Sequence, residues 1–156
     1  MLELIKDPDP ILKQVSVKVD LSKESIKDLL LLIGNMQQVM NNNCGCGLSA
    51  VQVGVLKRII VWSIPLVPVT PPIEWAEDFS YLINPEIVSS SMAKLRVVEG
   101  CLSMTHEATK TRANEIAVKG FRIAQNGKPY SVRWNLVGLE SVIVQHEIDH
   151  LNGVTI

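Results

Sequence analysis

Gln145-His146-Glu147-Ile148-Asp149-His150 is an H-E-x-x-H motif near the end of the 156-residue chain. Residues four apart in a helix lie one above the other on the same face. If this stretch is helical, His146 and His150 can bind one metal ion, and Glu147 lies beside that face at the height of the ion. The motif therefore predicts a helix that carries a metal centre.

The residues around the motif predict that this helix is largely buried. Leu139, Val142 and Ile143 continue the histidine face toward the N-terminus of the helix. Gly138 precedes the run, and Gly153 is placed to end it. We therefore expect other elements of the fold to pack around this helix.

The metal centre needs a third ligand from upstream in the chain. Most H-E-x-x-H peptidases take their third ligand from downstream, but here only Leu-Asn-Gly-Val-Thr-Ile follows His150. A thiolate is a strong ligand for zinc or ferrous iron, and a cysteine in a loop between two predicted strands ranks first. That cysteine is Cys101. The other candidates are Cys44, Cys46, His106 and a carboxylate.

The composition indicates one globular domain over residues 1–156. The net charge of −1 favours neither a nucleic acid nor an anionic membrane as a partner. The apolar runs are too short to span a bilayer, and the N-terminus lacks the basic start of a signal peptide. The three cysteines are an odd number, so we expect free thiols in a reducing cytoplasm instead of a disulfide framework.

Periodicity and turn residues predict an α+β fold. Residues 22–41 have the spacing of a helix with one buried face, and Ser22 or Ser25 can cap it. The proline-rich residues 65–79 predict a surface loop, which is a candidate flap over the site. Antiparallel strands are expected to pack around the central metal-binding helix, with the second helix N-terminal to them. These strands are predicted at 57–62, 80–88, 94–98, 116–123 and 129–134, with a turn at Asn126-Gly127 between the last two.

The stretch Gly45-Cys46-Gly47-Leu48-Ser49-Ala50 imitates the G-x-G-x-x-A fingerprint of dinucleotide sites. That fingerprint needs a strand before it and a helix after it, whereas here a helix precedes it and a strand follows. We interpret the glycines as letting a backbone approach a ligand closely. The amide of Gln52 could donate a hydrogen bond to a developing oxyanion, or it could serve the structure alone.

Three separated motifs together resemble those of the peptide deformylases, in the order found in that family. They are Gly45-Cys46-Gly47-Leu48-Ser49-Ala50-Val51-Gln52, Glu99-Gly100-Cys101-Leu102-Ser103 and Gln145-His146-Glu147-Ile148-Asp149-His150. The resemblance covers nearly the whole chain and is closest to short forms without a C-terminal extension, such as those encoded by some bacteriophages. The chain departs from the family at Ser49-Ala50 and in the atypical stretch 105–111, which includes His106.

The resemblance implies a hydrolase that removes the formyl group from formylmethionine at the N-terminus of nascent polypeptides and releases formate. It implies that Cys101, His146 and His150 hold one divalent metal ion, typically Fe²⁺, which Zn²⁺, Ni²⁺ or Co²⁺ can often replace. Metal-bound hydroxide would attack the formyl carbon, with Glu147 as general acid and base. The protein would act as a monomer on formylated nascent chains in a bacterial cytoplasm, without a nucleic acid or membrane partner.

The resemblance also implies roles for residues around the metal. The amide of Gln52 and the backbone N–H of Leu102 would hold the oxyanion. Glu99 and Arg112 would form an ion pair that supports the cysteine loop. The backbone near Gly45 and Gly47 would pair with the substrate as an added strand. Val142 and Ile143 would line the pocket for the methionine side chain.

Two other functions remain open at this point. A metallopeptidase would cut internal peptide bonds in casein or an unformylated peptide, and the missing downstream ligand argues against it. An inactive metal-binding protein would bind metal without releasing formate. The presence of Gln52, Cys101 and Glu147 together argues against that second alternative.

Overall fold

The computed structural model describes residues 2–64 and 79–156. Of the candidate flap at 65–79, all but Phe79 lies outside the described residues. Short 3-10 helices occupy Pro10–Lys13 and Ala50–Val53. In chain order, the helices and strands are α1 (Ile26–Asn42), β1 (Gly47–Ser49), β2 (Ile59–Trp62), β3 (Ser80–Ser90), β4 (Lys94–Glu99), β5 (Ala108–Ala113), β6 (Glu115–Ile123), β7 (Pro129–Val137) and α2 (Leu139–Leu151).

The strands form two antiparallel sheets, which confirms the predicted α+β class. One sheet has five strands in the order β1-β2-β3-β6-β7, and the other pairs β4 with β5. The hairpin of β6 and β7 turns at Gly127, whose φ of +76° suits a residue without a side chain. Within the described part of the chain, strand β1 lies at an edge of the larger sheet, so one side of its backbone is not paired with another strand of that sheet.

The five-stranded sheet lies between the two helices. Successive residues of a strand point to opposite faces, so β2 contributes to both sides. Ile59 and Val61 belong to a buried cluster with residues of α1. Ile60 and Trp62 belong to a second cluster, which includes Ile143 of α2. This double coverage explains why the sequence of β2 is apolar throughout instead of alternating.

Helix α1 begins at Ile26, so the predicted start at 22 is wrong. Ser25 is the N-cap, and its hydroxyl accepts a hydrogen bond from the N–H of Asp28 at 3.3 Å. The carboxylate of Asp20 accepts bonds from the N–H and the hydroxyl of Ser22, at 3.1 and 2.6 Å. These local bonds hold the preceding residues in a turn, because short polar side chains compete with the helix for backbone groups.

The sequence does not predict strand β5. Its centre is Thr109, Lys110 and Thr111, which offers no alternation of apolar and polar residues. The strand forms because it pairs with β4 in register along its whole length, from Lys94 opposite Ala113 onward. The structure also extends β3 to Ser90 and β7 to Val137, beyond the predicted ends at 88 and 134.

Within the described ranges, neither α1 nor α2 is long and apolar enough to cross a membrane.

Candidate metal centre and active site

Helix α2 presents the H-E-x-x-H residues to the interior, and β5 fixes its position. The side-chain oxygen of Gln145 accepts a bond from the N–H of Ala113 at 3.0 Å. The nitrogen of the same amide donates to the carbonyl of Ala113 at 2.9 Å. The hydroxyl of Ser141 donates to that carbonyl at 2.9 Å. Since both side chains point away from the histidine face, these bonds anchor the helix with its histidines directed at the opposite loop.

Three donor atoms converge at this face of the helix. The Nε2 atoms of His146 and His150 lie 3.1 Å apart, and Sγ of Cys101 lies 3.2 Å from Nε2 of His150. All three ligand atoms lie within 4.8 Å of one another. Ligands that share one tetrahedral zinc-like ion at ordinary bond lengths are roughly 3.3–3.6 Å apart. The spacing and the donor types therefore fit one divalent metal ion.

The rival ligands proposed from the sequence lie elsewhere. Among the described residues, the cluster that could hold a metal contains Cys101 and the two histidines, and none of the other cysteines or carboxylates. Cys44 and Cys46 line the adjacent cavity, and His106 is exposed in the loop after the cysteine. The upstream candidate ligand that the structure brings to the histidines is thus Cys101.

A buried ion network supports the first histidine. Arg112 donates from Nε and Nη2 to the two oxygens of Glu99, at 2.7 and 2.8 Å. Its Nη1 also donates to Asp149 at 2.6 Å. The second oxygen of Glu99 lies 2.9 Å from Nδ1 of His146. This contact orients the imidazole so that Nε2 faces the other donors, as a carboxylate behind a metal-binding histidine does.

The contacts within the network shift the pKa values of its members in different directions. Although burial would raise the pKa of Glu99, its bonds to Arg112 and His146 hold that pKa at about 2. Although burial would lower the pKa of His146, its contacts with Cys101 and Glu99 raise that pKa to about 10. Burial, with the charge on His146, lowers the pKa of His150 to about 3. A metal ion at Nε2 of His146 would replace the proton that this cluster holds.

Glu147 differs from Glu99 in its surroundings. Its side chain is 3% exposed, and burial raises its pKa to about 7. Its Oε2 is buried without a hydrogen-bond partner among the described residues. Gly47 packs so closely on it that a Cβ there would lie 3.0 Å from its carboxyl carbon. A carboxyl group with this pKa can take up and release a proton near neutral pH.

The amide of Gln52 is fixed by bonds at both of its ends. Its oxygen accepts from the N–H and the hydroxyl of Ser49, at 2.8 and 2.9 Å. Its nitrogen donates to the hydroxyl of Ser103 at 3.1 Å and approaches Sγ of Cys101 at 3.6 Å. These contacts direct the donor end of the amide toward the metal ligands and the Leu102 loop.

A cavity of about 480 Å³ opens beside these residues. Its walls include the four substrate residues proposed from the sequence, which are Gly45, Gly47, Val142 and Ile143. They also include Val98 and Leu139, which the sequence analysis did not assign to the site and which are 67% and 56% exposed. Position 139 lies on the histidine face of α2, a signal that could have identified it.

Two further site residues were missed. Asp149 extends the arginine network, and Ser103 receives the amide of Gln52. Asp149 lies three residues after His146, but its partner Arg112 lies on the strand that the sequence did not predict. No local pattern therefore indicated the ion pair between them.

Comparison with known proteins gives a consistent result. The chain matches the family model described as polypeptide deformylase over residues 1–156. A peptide deformylase of Thermodesulfovibrio yellowstonii is 41% identical over 155 residues, which are 99% of this chain and 86% of that protein. The structure resembles PDF from the Vibrio parahaemolyticus bacteriophage VP16T in complex with actinonin, with a TM-score of 0.77 and 35% identity over 99% and 100% of the two chains. It also resembles a Met-ala-ser bound class I type b peptide deformylase from Acinetobacter baumannii, with a TM-score of 0.83 and 31% identity over 99% and 96% of the two chains.

Proposed function

Because this chain belongs to the polypeptide deformylase family, it is an enzyme that removes the N-formyl group from nascent peptides, and we propose that Cys101, His146 and His150 hold its metal ion. The family is metal-dependent, and the observation that carries the proposal is the convergence of these three donor atoms within 4.8 Å of one another. Three protein ligands of this kind leave a coordination position for a reacting molecule, as in catalytic sites.

We propose Fe²⁺ as the native ion. The thiolate and imidazole donors also suit Zn²⁺, Co²⁺ and Ni²⁺, so the choice of iron rests on the family resemblance. When bound, the ion lowers the pKa of a water molecule and polarises a carbonyl oxygen.

Glu147 is the proposed general base and acid. Its free Oε2 faces no protein donor among the described residues, so it is available to take the proton of the attacking water. The same group can then deliver that proton to the amine nitrogen as the C–N bond breaks, and burial raises its pKa in the direction that suits this transfer. Formate and the free N-terminal amine are the products.

Two donors are proposed to stabilise the oxyanion that forms on the formyl oxygen. They are the amide nitrogen of Gln52 and the backbone N–H of Leu102. The amide is held by Ser49 and Ser103, so its orientation is fixed before the reaction begins. Fixed donors aimed at a developing charge commonly contribute the largest part of such a rate enhancement.

The substrate is proposed to enter along the free edge of β1. The backbone near Gly45 and Gly47 lines the cavity and can pair with an extended peptide as an added strand. Val142 and Ile143 lie one turn before His146 and would line the pocket for the methionine side chain. We further propose that the protein works as a monomer in the cytoplasm, where formylated chains emerge from the ribosome.

The proposal is tested by formate release from a formyl-Met tripeptide, using anaerobically purified and iron-loaded protein. Glu147→Ala is assayed beside the parent, and metal content is measured for both. Turnover by the parent, lost in a variant that retains its metal, supports the assigned role of Glu147. Metal binding without formate release would instead support an inactive binding protein, and cleavage of casein would support a peptidase. A parent that binds no metal would refute the assignment of the three ligands.

A further inference from the structure

A short N-terminal segment, residues 5–7, bonds to both segments that carry the proposed oxyanion donors, which are the 3-10 helix of Gln52 and the turn that contains Leu102. The N–H of Ile5 donates to the carbonyl of Gln52 at 2.8 Å. The N–H of Asp7 donates to the carbonyl of Ser103 at 2.8 Å. The side chain of Gln52 also bonds to Ser103. The 3-10 helix of Gln52 and the turn of Leu102 are therefore joined directly by this bond and indirectly through residues 5–7.

Lys6, the middle residue of the segment, bonds to the turn that follows the cysteine ligand. This turn is closed by a bond from the N–H of Met104 to the carbonyl of Cys101 at 3.2 Å. The ammonium of Lys6 donates to the carbonyl of Leu102 at 2.5 Å. In the same peptide group, the N–H of Ser103 points to Sγ of Cys101 at 3.4 Å.

The peptide group between Leu102 and Ser103 is therefore held at both ends. A peptide group is planar and rigid, so fixing its carbonyl and its N–H fixes its orientation. The preceding peptide carries the N–H of Leu102, and it is joined to the fixed group through a single residue. A change at the carbonyl of Leu102 thus alters the direction of its own N–H.

We propose that Lys6 is a positioning residue for deformylation, acting through the Leu102 carbonyl to aim the Leu102 N–H at the oxyanion. This inference rests on the proposed function, in which that N–H is a donor to the transition state. Lys6 is not among the residues that line the cavity. Its side chain is exposed, and exposed residues of this kind contribute little to stability. Its removal should therefore leave the fold intact and misplace one donor.

The test compares Lys6→Met, Lys6→Arg and Lys13→Met with the parent enzyme, all loaded with the same metal. Lys13 is a matched control, because it is an exposed lysine in the same N-terminal region. Its side chain makes no hydrogen bond or ion pair with the described residues. We expect Lys6→Met to lower kcat roughly threefold to tenfold, less than the ~10²-fold loss for removing a donor outright. KM should stay within about twofold, because the misplaced donor acts only in the transition state. Arginine also donates to a carbonyl, so Lys6→Arg should restore most of kcat.

A second readout does not depend on activity. Amide hydrogen exchange at Ser103 should be faster in Lys6→Met than in the parent and in Lys13→Met, because the peptide group has lost one of its two restraints. An unchanged kcat in Lys6→Met would overturn the inference, whatever the exchange rate at Ser103. A loss of kcat in Lys13→Met as large as that in Lys6→Met would also overturn it. A parent without formate release would refute the proposed function itself, whereas an active parent with an equally active Lys6→Met refutes only the role of Lys6.

Discussion

Replacing Glu147 with glutamine should make the metal-free protein more resistant to rising pH than the parent. The pKa of this carboxyl is raised by burial from 4.5 to about 7 in the folded protein. The folded state therefore binds its proton more tightly than the unfolded state, and stability falls as the pH rises from the unfolded pKa through the folded one. A shift of this size corresponds to a loss of about 3 kcal/mol at high pH, most of which appears between pH 5 and pH 8.

The assay is urea unfolding of chelator-treated parent and Glu147→Gln at pH 5 and pH 8. Glutamine keeps the shape of the side chain but cannot ionise, so the variant lacks this contribution at both pH values. The buried amide destabilises the variant by an amount that does not depend on pH. The decisive quantity is therefore how the difference in free energy of unfolding between the two proteins changes from pH 5 to pH 8. Groups that do not interact with Glu147 contribute equally to both proteins and cancel, whereas His146 differs between them, because the charge on Glu147 is one of the causes that raise its pKa.

The reasoning would be refuted by parallel stability curves for the two proteins from pH 5 to pH 8. That result would mean that Glu147 ionises in the fold as easily as in water, and that burial is not tuning it for proton transfer. Formate release provides a second measurement on the metal-loaded proteins. Loss of a general base should lower kcat by about 10²–10⁴-fold in Glu147→Gln without loss of metal.

Two further substitutions test the packing and the ion network of the site. In Gly47→Val, a Cβ would lie 2.9 Å from Cγ2 of Ile143, so we expect turnover to fall by about 10²-fold from misplacement of the site while the circular dichroism spectrum is kept. Gly34→Ala is the control, because nothing lies within 4 Å of its added carbon. In Arg112→Met, the buried carboxylate of Glu99 loses both bonds from its arginine and keeps only its contact with His146, so urea unfolding should show a loss of about 3 kcal/mol. A loss below about 1 kcal/mol would mean that the pair is solvated like a surface ion pair.

The metal-binding helix could be predicted from the sequence because its information is local. The spacing of His146 and His150 places both rings on one face of any helix, whatever surrounds it. The face of α1 and the hairpin of β6 and β7 also follow from local periodicity and turn chemistry. Where short polar side chains compete with the helix, as at Ser22, the same local reasoning gave a start that is several residues too early.

The rest of the site depends on pairings that are distant in sequence. From the residues alone, Cys101 ranks first only because it lies in a loop between predicted strands, and Cys44 and Cys46 remain rival ligands. The structure brings it to the histidines because β4 pairs with β5, and β5 is bonded to α2 through Ala113. Strand β5 itself is specified by its partner, because β propensity depends strongly on context. The partners of Arg112 could therefore not be derived from local patterns.

The two buried glutamates of the site lie close together but have different surroundings, and these surroundings suit them to different chemical roles. Glu99 has a bidentate arginine, so its pKa is held at about 2 and it stays ionised, able to orient His146, at any working pH. Glu147 has no such cation bonded to it, so its pKa is raised to about 7 and it can exchange a proton. Environments that push two neighbouring pKa values apart in this way separate a structural anion from an acid–base group. If Arg112 bonded to Glu147 instead, the carboxylate would be stable and permanently charged, and it would be too weak a base to take a proton from water. The destabilisation expected from Glu147 at high pH thus has the same origin as its suitability for catalysis.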